Sequence, residues 1–370
     1  MGRLRLAADI CIALLALLLI ALVGICVVAP RITGKEWVRA RLSEATQSTI
    51  GRGIEIASLE FALFPPSVIA SGALIGSPSM PLVRAERIRL TPAIAPMLVG
   101  ALVIDSATLE GATIHLVRAP DEIAFADAGV ASVGRAARSD LAVRGVSMSG
   151  ATIILEDRTV APPAVWTLRD VSARAVAEAL GSPIRFDLAG TSPPTGRVVG
   201  KGEAAADGAL KLEFGLEAVS IRAATPYFAA GSDVDGSLSG SLHVDGSVDR
   251  PAIALEATLR NSRLRLGEIA LRGTVQVDAT IRDLRGAPHG VVEIDATEAE
   301  LGYAGAFTKA PGIPARVVGQ VTAGPDGSLA IESWKFEVHD LGGQVRVGPR
   351  LRRLLAGRAP DRAARPARSG

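Results

Sequence analysis

Ile269-Ala270-Leu271-Arg272-Gly273-Thr274-Val275-Gln276-Val277-Asp278-Ala279-Thr280-Ile281-Arg282 is the stretch whose reading decides the fold. Its odd-numbered positions are all aliphatic or glycine, and from Arg272 onward its even-numbered positions are all polar or charged. Successive side chains of a β-strand point to opposite faces, so a period of two describes a strand with one apolar and one wet face.

The same period recurs on either side. Leu210, Leu212, Phe214, Leu216 and Ala218 alternate with Lys211, Glu213, Gly215 and Glu217, and Ile253, Leu255, Ala257 and Leu259 repeat the pattern. Shorter runs lie at Ile184 to Leu188, Leu238 to Val244, Ala315 to Ala323 and Trp334 to Val338. Asp207-Gly208 and Asp326-Gly327 are hairpin signals between alternating segments. Ser232 to Gly240 reads as a loop or a weak strand, and Asp233-Val234-Asp235-Gly236 within it as a turn rather than a calcium loop, because the rest of the twelve-residue pattern is missing. About eighteen to twenty strands are expected. Helical candidates after residue 50 are only Pro92 to Leu98 and Ala173 to Leu180.

The class that follows is mainly β, an antiparallel-rich sheet with few short helices. A buried Val, Leu or Ile is worth about 1.5–3 kcal/mol relative to exposure, so a sheet with dozens of them on one face must cover that face. Helices to do so are nearly absent. The options are a closed barrel, a two-sheet sandwich, or a curved sheet whose concave face holds something apolar. An outer-membrane barrel is disfavoured because such barrels carry aromatic girdles, whereas aromatics are 4% of this chain against 48% hydrophobic residues.

Ile10 to Ala29 is an uninterrupted apolar run, preceded by Arg3 and Arg5 and ended by Pro30. About 20 residues at helical rise span a hydrocarbon core of about 30 Å, so the run predicts a transmembrane helix. Cleavage after Val27-Val28-Ala29 would leave Pro30 as the new N-terminus, which favours an uncleaved anchor over a signal peptide. Arg31, Lys35, Arg39 and Arg41 follow the run, so basic residues alone do not orient it. The short N-terminal flank and the thiol-free remainder, with Cys11 and Cys26 both inside the run, favour an inside N-terminus and an exported bulk. Thr33 to Thr49 reads as a short amphipathic helix through Trp37, Val38, Leu42 and Ala45.

A series of short segments follows the anchor in a recognisable order. Gly51-Arg52-Gly53-Ile54-Glu55-Ile56 leads to Leu63-Phe64-Pro65-Pro66, then to Pro81-Leu82-Val83-Arg84-Ala85-Glu86-Arg87-Ile88. Ala95-Pro96-Met97-Leu98-Val99-Gly100, Leu102-Val103-Ile104-Asp105 and Leu109-Glu110-Gly111-Ala112-Thr113-Ile114 complete it. This order resembles the N-terminal region of the AsmA-like family, membrane-anchored proteins related to the chorein-type lipid-bridge proteins. A second resemblance covers Ile153 to Arg158 and Trp166 to Val171, and later segments match only as repeated β-hairpins. The resemblance implies a tall curved sheet forming a groove, with a Leu-Glu-Gly turn between two of its strands. It further implies a protein of the Gram-negative inner membrane with its bulk in the periplasm, moving phospholipid or maintaining the outer membrane, with outer-membrane or envelope proteins as partners. The alternative within the same reading is a structural assembly factor with a dry β core.

On that reading the groove is lined by Leu212, Phe214 and Leu216, then by Ile253, Leu255 and Leu259. Ile269, Leu271, Val275, Val277 and Ile281 continue the lining, and Val317 and Val321 close it. The expected organisation is a cytoplasmic stub and anchor over 1–30, the short helix over 31–50, an AsmA-like region over 51–180, a hairpin groove region over 181–348, and a basic, disordered tail over 349–370. About twenty strands side by side would give a sheet of roughly 95 Å.

No enzyme is expected and no cofactor or metal is assigned. His115, His243, His289 and His339 are far apart in sequence and lack ligand spacing, and there is no Gly-x-Ser-x-Gly elbow or phosphate loop. Glu298 and Glu300 read as solvated carboxylates near strand ends. Forty Lys and Arg against 38 Asp and Glu give a net charge of +2, which argues against nucleic acid.

Overall fold

A computed structural model of the chain describes residues 54–63, 66–77, 80–93, 103–118, 142–177, 182–205, 207–228, 231–247, 249–284, 287–323, 329–339 and 341–346. The expected transmembrane helix, the helix over Thr33 to Thr49 and the basic tail lie outside these residues, as do Asp326-Gly327 and most of the helical candidate at Pro92 to Leu98. Among the described residues no helix is long and apolar enough to cross a membrane.

Nineteen strands form one sheet. β1 (Ile54–Leu63), β2 (Pro66–Ser77) and β3 (Met80–Pro92) are antiparallel neighbours. β4 (Val103–Glu110) and β5 (Thr113–Arg118) both lie antiparallel against β3 and parallel to β6 (Ala142–Asp157), so they share one row. The Leu109-Glu110-Gly111 segment is therefore a bend within a row and not a turn between neighbouring rows. From β6 the chain runs antiparallel through β7 (Ala164–Ala177), β8 (Ile184–Ser192), β9 (Gly196–Ala204) and β10 (Ala209–Ser220). The expected Asp207-Gly208 turn joins β9 to β10, with the Ala209 N–H donated to Asp207 Oδ1 at 3.0 Å. A 3-10 helix, η1 (Arg222–Tyr227), precedes β11 (Asp233–Ser247), β12 (Pro251–Leu266) and β13 (Ile269–Arg282).

β13 pairs with β14 (His289–Asp295) along one part and with β15 (Ala299–Tyr303) along the other. β16 (Phe307–Lys309) borders β15, and β17 (Ala315–Ala323) borders β14. β18 (Leu329–Val338) and β19 (Leu341–Arg346) complete the sheet. Among the described residues β1 pairs only with β2 and β19 only with β18, so the sheet is open and the closed barrel is excluded for them. Because β4 with β5, β14 with β15, and β16 with β17 occupy common rows, nineteen strands make sixteen rows. At about 4.8 Å per row the sheet measures about 70 Å, shorter than the sequence count suggests.

A crease runs across the sheet. On β6, inward-facing Met148 and Ala151 are separated by two outward residues, Ser149 and Gly150. Gly72, Gly111, Gly150, Asp170, Ala218 and Asn261 all take positive φ, between 48° and 62°, at corresponding places on β2, the β4–β5 row, β6, β7, β10 and β12. Each left-handed residue puts a second outward position next to the first and bends the strand, the action of a β-bulge. Alanines occupy the inner side of the bend: Ala73, Ala85, Ala112 and Ala151 cluster with Val171, and residues of both arms, Leu109 and Met148 from one and Ile153 and Leu168 from the other, pack against them. A second cluster, Leu259, Val275, Ala296, Ala299 and Ala315, lies on the crease further along.

Three local expectations are corrected. Ala173 to Ala177 is strand, not helix, because Ala173, Ala175 and Ala177 pair in register with Leu188, Phe186 and Ile184, and tertiary pairing overrides helix propensity. Of the two readings of Ser232 to Gly240 the strand holds, as the start of β11, and the turn expected at Asp233 to Gly236 is corrected: Asp233, Val234 and Asp235 pair with β12, and Asp235 accepts from Arg263 at 3.0 Å. Ala218 drops out of the apolar alternation: its φ of 48° ends the period, and Val219 resumes the pairing.

Candidate functional site

The registers of successive ladders bring apolar residues into continuous tracks across the rows. One runs Leu59, Ala70, Ile88, Leu109, Met148, Ala173, Leu188 and Gly200, each opposite the next. It continues through Phe214, Leu242, Leu255, Ala279, Val292, Gly319 and Trp334. A parallel track runs Phe61, Val68, Leu90, Ala107, Val146, Ala175, Phe186 and Gly202, then Leu212, Val244, Ile253, Ile281, Gly290 and Val321. A third holds Val198, Leu216, Gly240, Ala257, Val277, Ile294 and Val317. No polar residue interrupts any of them.

The alternation needed to build these tracks is legible strand by strand; their alignment is a matter of register. All thirteen residues assigned to the lining stand on this face. Leu259 lies opposite Val275, Leu271 opposite Leu301, and Ile269 opposite Tyr303. Leu259 and Val275 are buried on the crease and Val321 is buried opposite Gly290, toward the other end of the strands, whereas most of the others are half-buried. The sequence-based list stopped short of the N-terminal half, where Leu59, Ile88, Leu109, Met148 and Leu188 extend the same face. Their strands are bent after few residues, which hides the period.

The surface is thin. The largest wholly buried side chains are Lys309, Leu59, Val171, Val234 and Ser262, so no large apolar residues from an opposing layer cover the face among the described residues. Gly200 makes room for the Phe214 ring: a Cβ there would stand 2.6 Å from Phe214 Cδ1. The opposite face is polar and carries exposed ion pairs, such as Lys201 with Glu213 at 3.1 Å and Arg87 with Glu110 at 3.4 Å. Such pairs add little stability and mark a solvent face.

Two polar clusters brace the inner face, and neither had a signal in the sequence. Buried Asp157, at the end of β6, accepts Tyr227 Oη at 2.6 Å, Thr159 Oγ1 at 2.6 Å and Arg118 Nη1 at 3.2 Å. Burial pushes its carboxyl upward, but the bonds from Thr159 and Tyr227 and the Arg118 charge outweigh burial and hold it below the ordinary value. Tyr227 also stacks on Trp166, with ring centroids 5.6 Å apart, so η1 reaches past β8 and β9 to β7. Lys309 is the second brace, buried with its ammonium on four backbone carbonyls. Beside the first cluster His115 Nε2 lies 2.9 Å from Glu156 Oε2, and Glu156 is held low chiefly by Arg158.

The molecule thus belongs to the class of open, creased, single-layer β-sheets with one continuous apolar face. Comparison adds no identity to that class: no family model, no curated protein and no solved structure matches the chain.

Proposed function

We propose that this chain is a non-enzymatic, membrane-anchored lipid-binding protein that holds phospholipid acyl chains along the creased apolar face. The observation that carries the reading is the run of register-matched apolar tracks from β1 to β18 on a face with no covering layer among the described residues. Apolar surface of that extent is costly in water and calls for an apolar occupant. Acyl chains suit it, because the tracks offer no hydrogen-bonding partner and leave headgroups to the rims. The apolar run Ile10 to Ala29 supplies the anchor in this reading, and the resemblance to the AsmA-like order supports a bulk in the periplasm of a Gram-negative envelope, serving outer-membrane lipid homeostasis.

Native mass spectrometry with lipid extraction on residues 33–350 tests the proposal. Stoichiometric phospholipid is expected, and Val277→Asp, in the middle of the third track, is expected to remove it while circular dichroism still reports the sheet. A folded fragment without lipid refutes the groove and leaves an assembly factor whose apolar face is covered by protein.

A further inference from the structure

We infer that one rim of the sheet beds in the interfacial layer of a lipid bilayer, so that the apolar face opens sideways onto the membrane. The inference rests on the lipid-groove reading and adds the place where the groove meets its lipid source.

The apolar face does not stop at the crease. Beyond it, Leu264, Leu271 and Leu301 stand opposite one another, and the last paired positions before the strand ends are Leu266, Ile269, Tyr303 and Phe307. The turns at Gly267-Glu268 and Ala304-Gly305 thus carry an apolar, aromatic lip. η1 adds Tyr227 and Phe228 to the same rim, since it joins the ends of β10 and β11 there. Tyr227, Phe228, Ile269, Tyr303 and Phe307 leave between 42% and 51% of their surface in solvent. Among the described residues the only other strongly exposed aromatic is Phe336. From β10 to β16 the lip spans five row spacings, about 24 Å.

Concentrated exposed aromatics at one edge mark an interaction surface, and phenol and phenyl rings favour the headgroup level of a bilayer. The occupant is fixed by where the chain enters the sheet. β1 begins at Ile54, whose partner Ile75 pairs in turn with Val83 and lies on the same side of the crease as the lip. The chain preceding Ile54 contains the apolar run Ile10 to Ala29, so the segment suited to a bilayer precedes the strand that enters the sheet along the same rim, eight rows from β10. Among the described residues the opposite rim carries Lys211, Asp245, Arg250 and His289 near its strand ends and has no exposed aromatic. Charges on the lip balance, Arg265 against Glu268, so the contact needs no anionic lipid and persists at high salt.

The test uses the full chain with Cys11→Ser and Cys26→Ser, reconstituted in vesicles of phosphatidylethanolamine and phosphatidylcholine. Single nitroxide labels are placed through Tyr303→Cys and Phe307→Cys, with Lys211→Cys on the opposite rim and Thr280→Cys on the polar face as references. Accessibility to dissolved oxygen is compared with accessibility to a water-soluble nickel chelate. Labels at 303 and 307 are expected to favour oxygen, and those at 211 and 280 the chelate, with the difference unchanged in high salt. Four labels equally open to the chelate overturn the inference, as do lip labels shielded from both reagents, which would mean a protein contact. The lipid content of the fragment reads the groove separately. Lipid present with aqueous lip labels removes the rim contact alone, and immersed labels with an empty groove keep the contact and remove the groove.

Discussion

Replacing Lys309 with methionine tests how the crease is held. At this row β13 passes from β14 to β15, and the ladder is broken over Ala296 to Glu298. The Lys309 ammonium fills the break, donating to the carbonyls of Ala299 at 2.8 Å, Ala296 at 2.9 Å, Thr297 at 3.0 Å and Ala310 at 3.2 Å. Burial pushes its pKa down, while Glu298 and Asp295 oppose the shift. An ammonium has three donors, so four carbonyls share them, and a thioether supplies none. Ala296 and Thr297 retain second partners, the N–H groups of Ala299 and Gly312. Charge-assisted bonds contribute about 1.5–3 kcal/mol each, and relief of the buried charge returns part of the loss. Lys309→Met is therefore expected to destabilise the protein by about 2–4 kcal/mol. Urea unfolding of the full chain in detergent micelles should show a lower midpoint at unchanged slope. Lys335→Met, which removes an exposed pair with Glu337, should stay within about 0.5 kcal/mol. A Lys309→Met protein as stable as its parent would refute the argument that the bend depends on this ammonium.

Ala218→Gly should stabilise by about 0.5–1 kcal/mol, because glycine relieves the left-handed cost at φ 48° and loses only part of that gain to chain entropy; thermal unfolding measures it. Gly290→Leu should cost about 3 kcal/mol or more, since its Cβ would fall on the Thr280 carbonyl and stand 2.8 Å from Ile281 Cα; hydrogen exchange along β13 and β14 would report the opened ladder. Asp157 and Asp295 both have folded pKa values below their ordinary ones, Asp295 chiefly through the Thr297 hydroxyl and its backbone N–H. Their contribution is complete above the ordinary carboxylate range and is lost as pH falls through it, so stability should drop from about pH 4 downward. Asp157→Asn should flatten part of that acid limb in urea midpoints measured against pH.

The sequence by itself determined the class and the faces. In β13 the alternation from Ile269 to Ile281 survives unbroken, because each side chain's direction depends only on its place in the pleat. Where a residue takes positive φ, as at Asp170 and Ala218, the period breaks locally, and the alternation on either side no longer reads as one strand. Only the tertiary structure decided that the sheet is open, that the β4–β5 row runs parallel to β6, and that the bends on β2, the β4–β5 row, β6, β7, β10 and β12 align into one crease. Register between strands decides which apolar residues become neighbours, and no single strand carries that information. The same limit hid Lys309, three of whose four carbonyl partners stand 10 to 13 residues away along the chain, and the Asp157–Tyr227 pair, 70 residues apart.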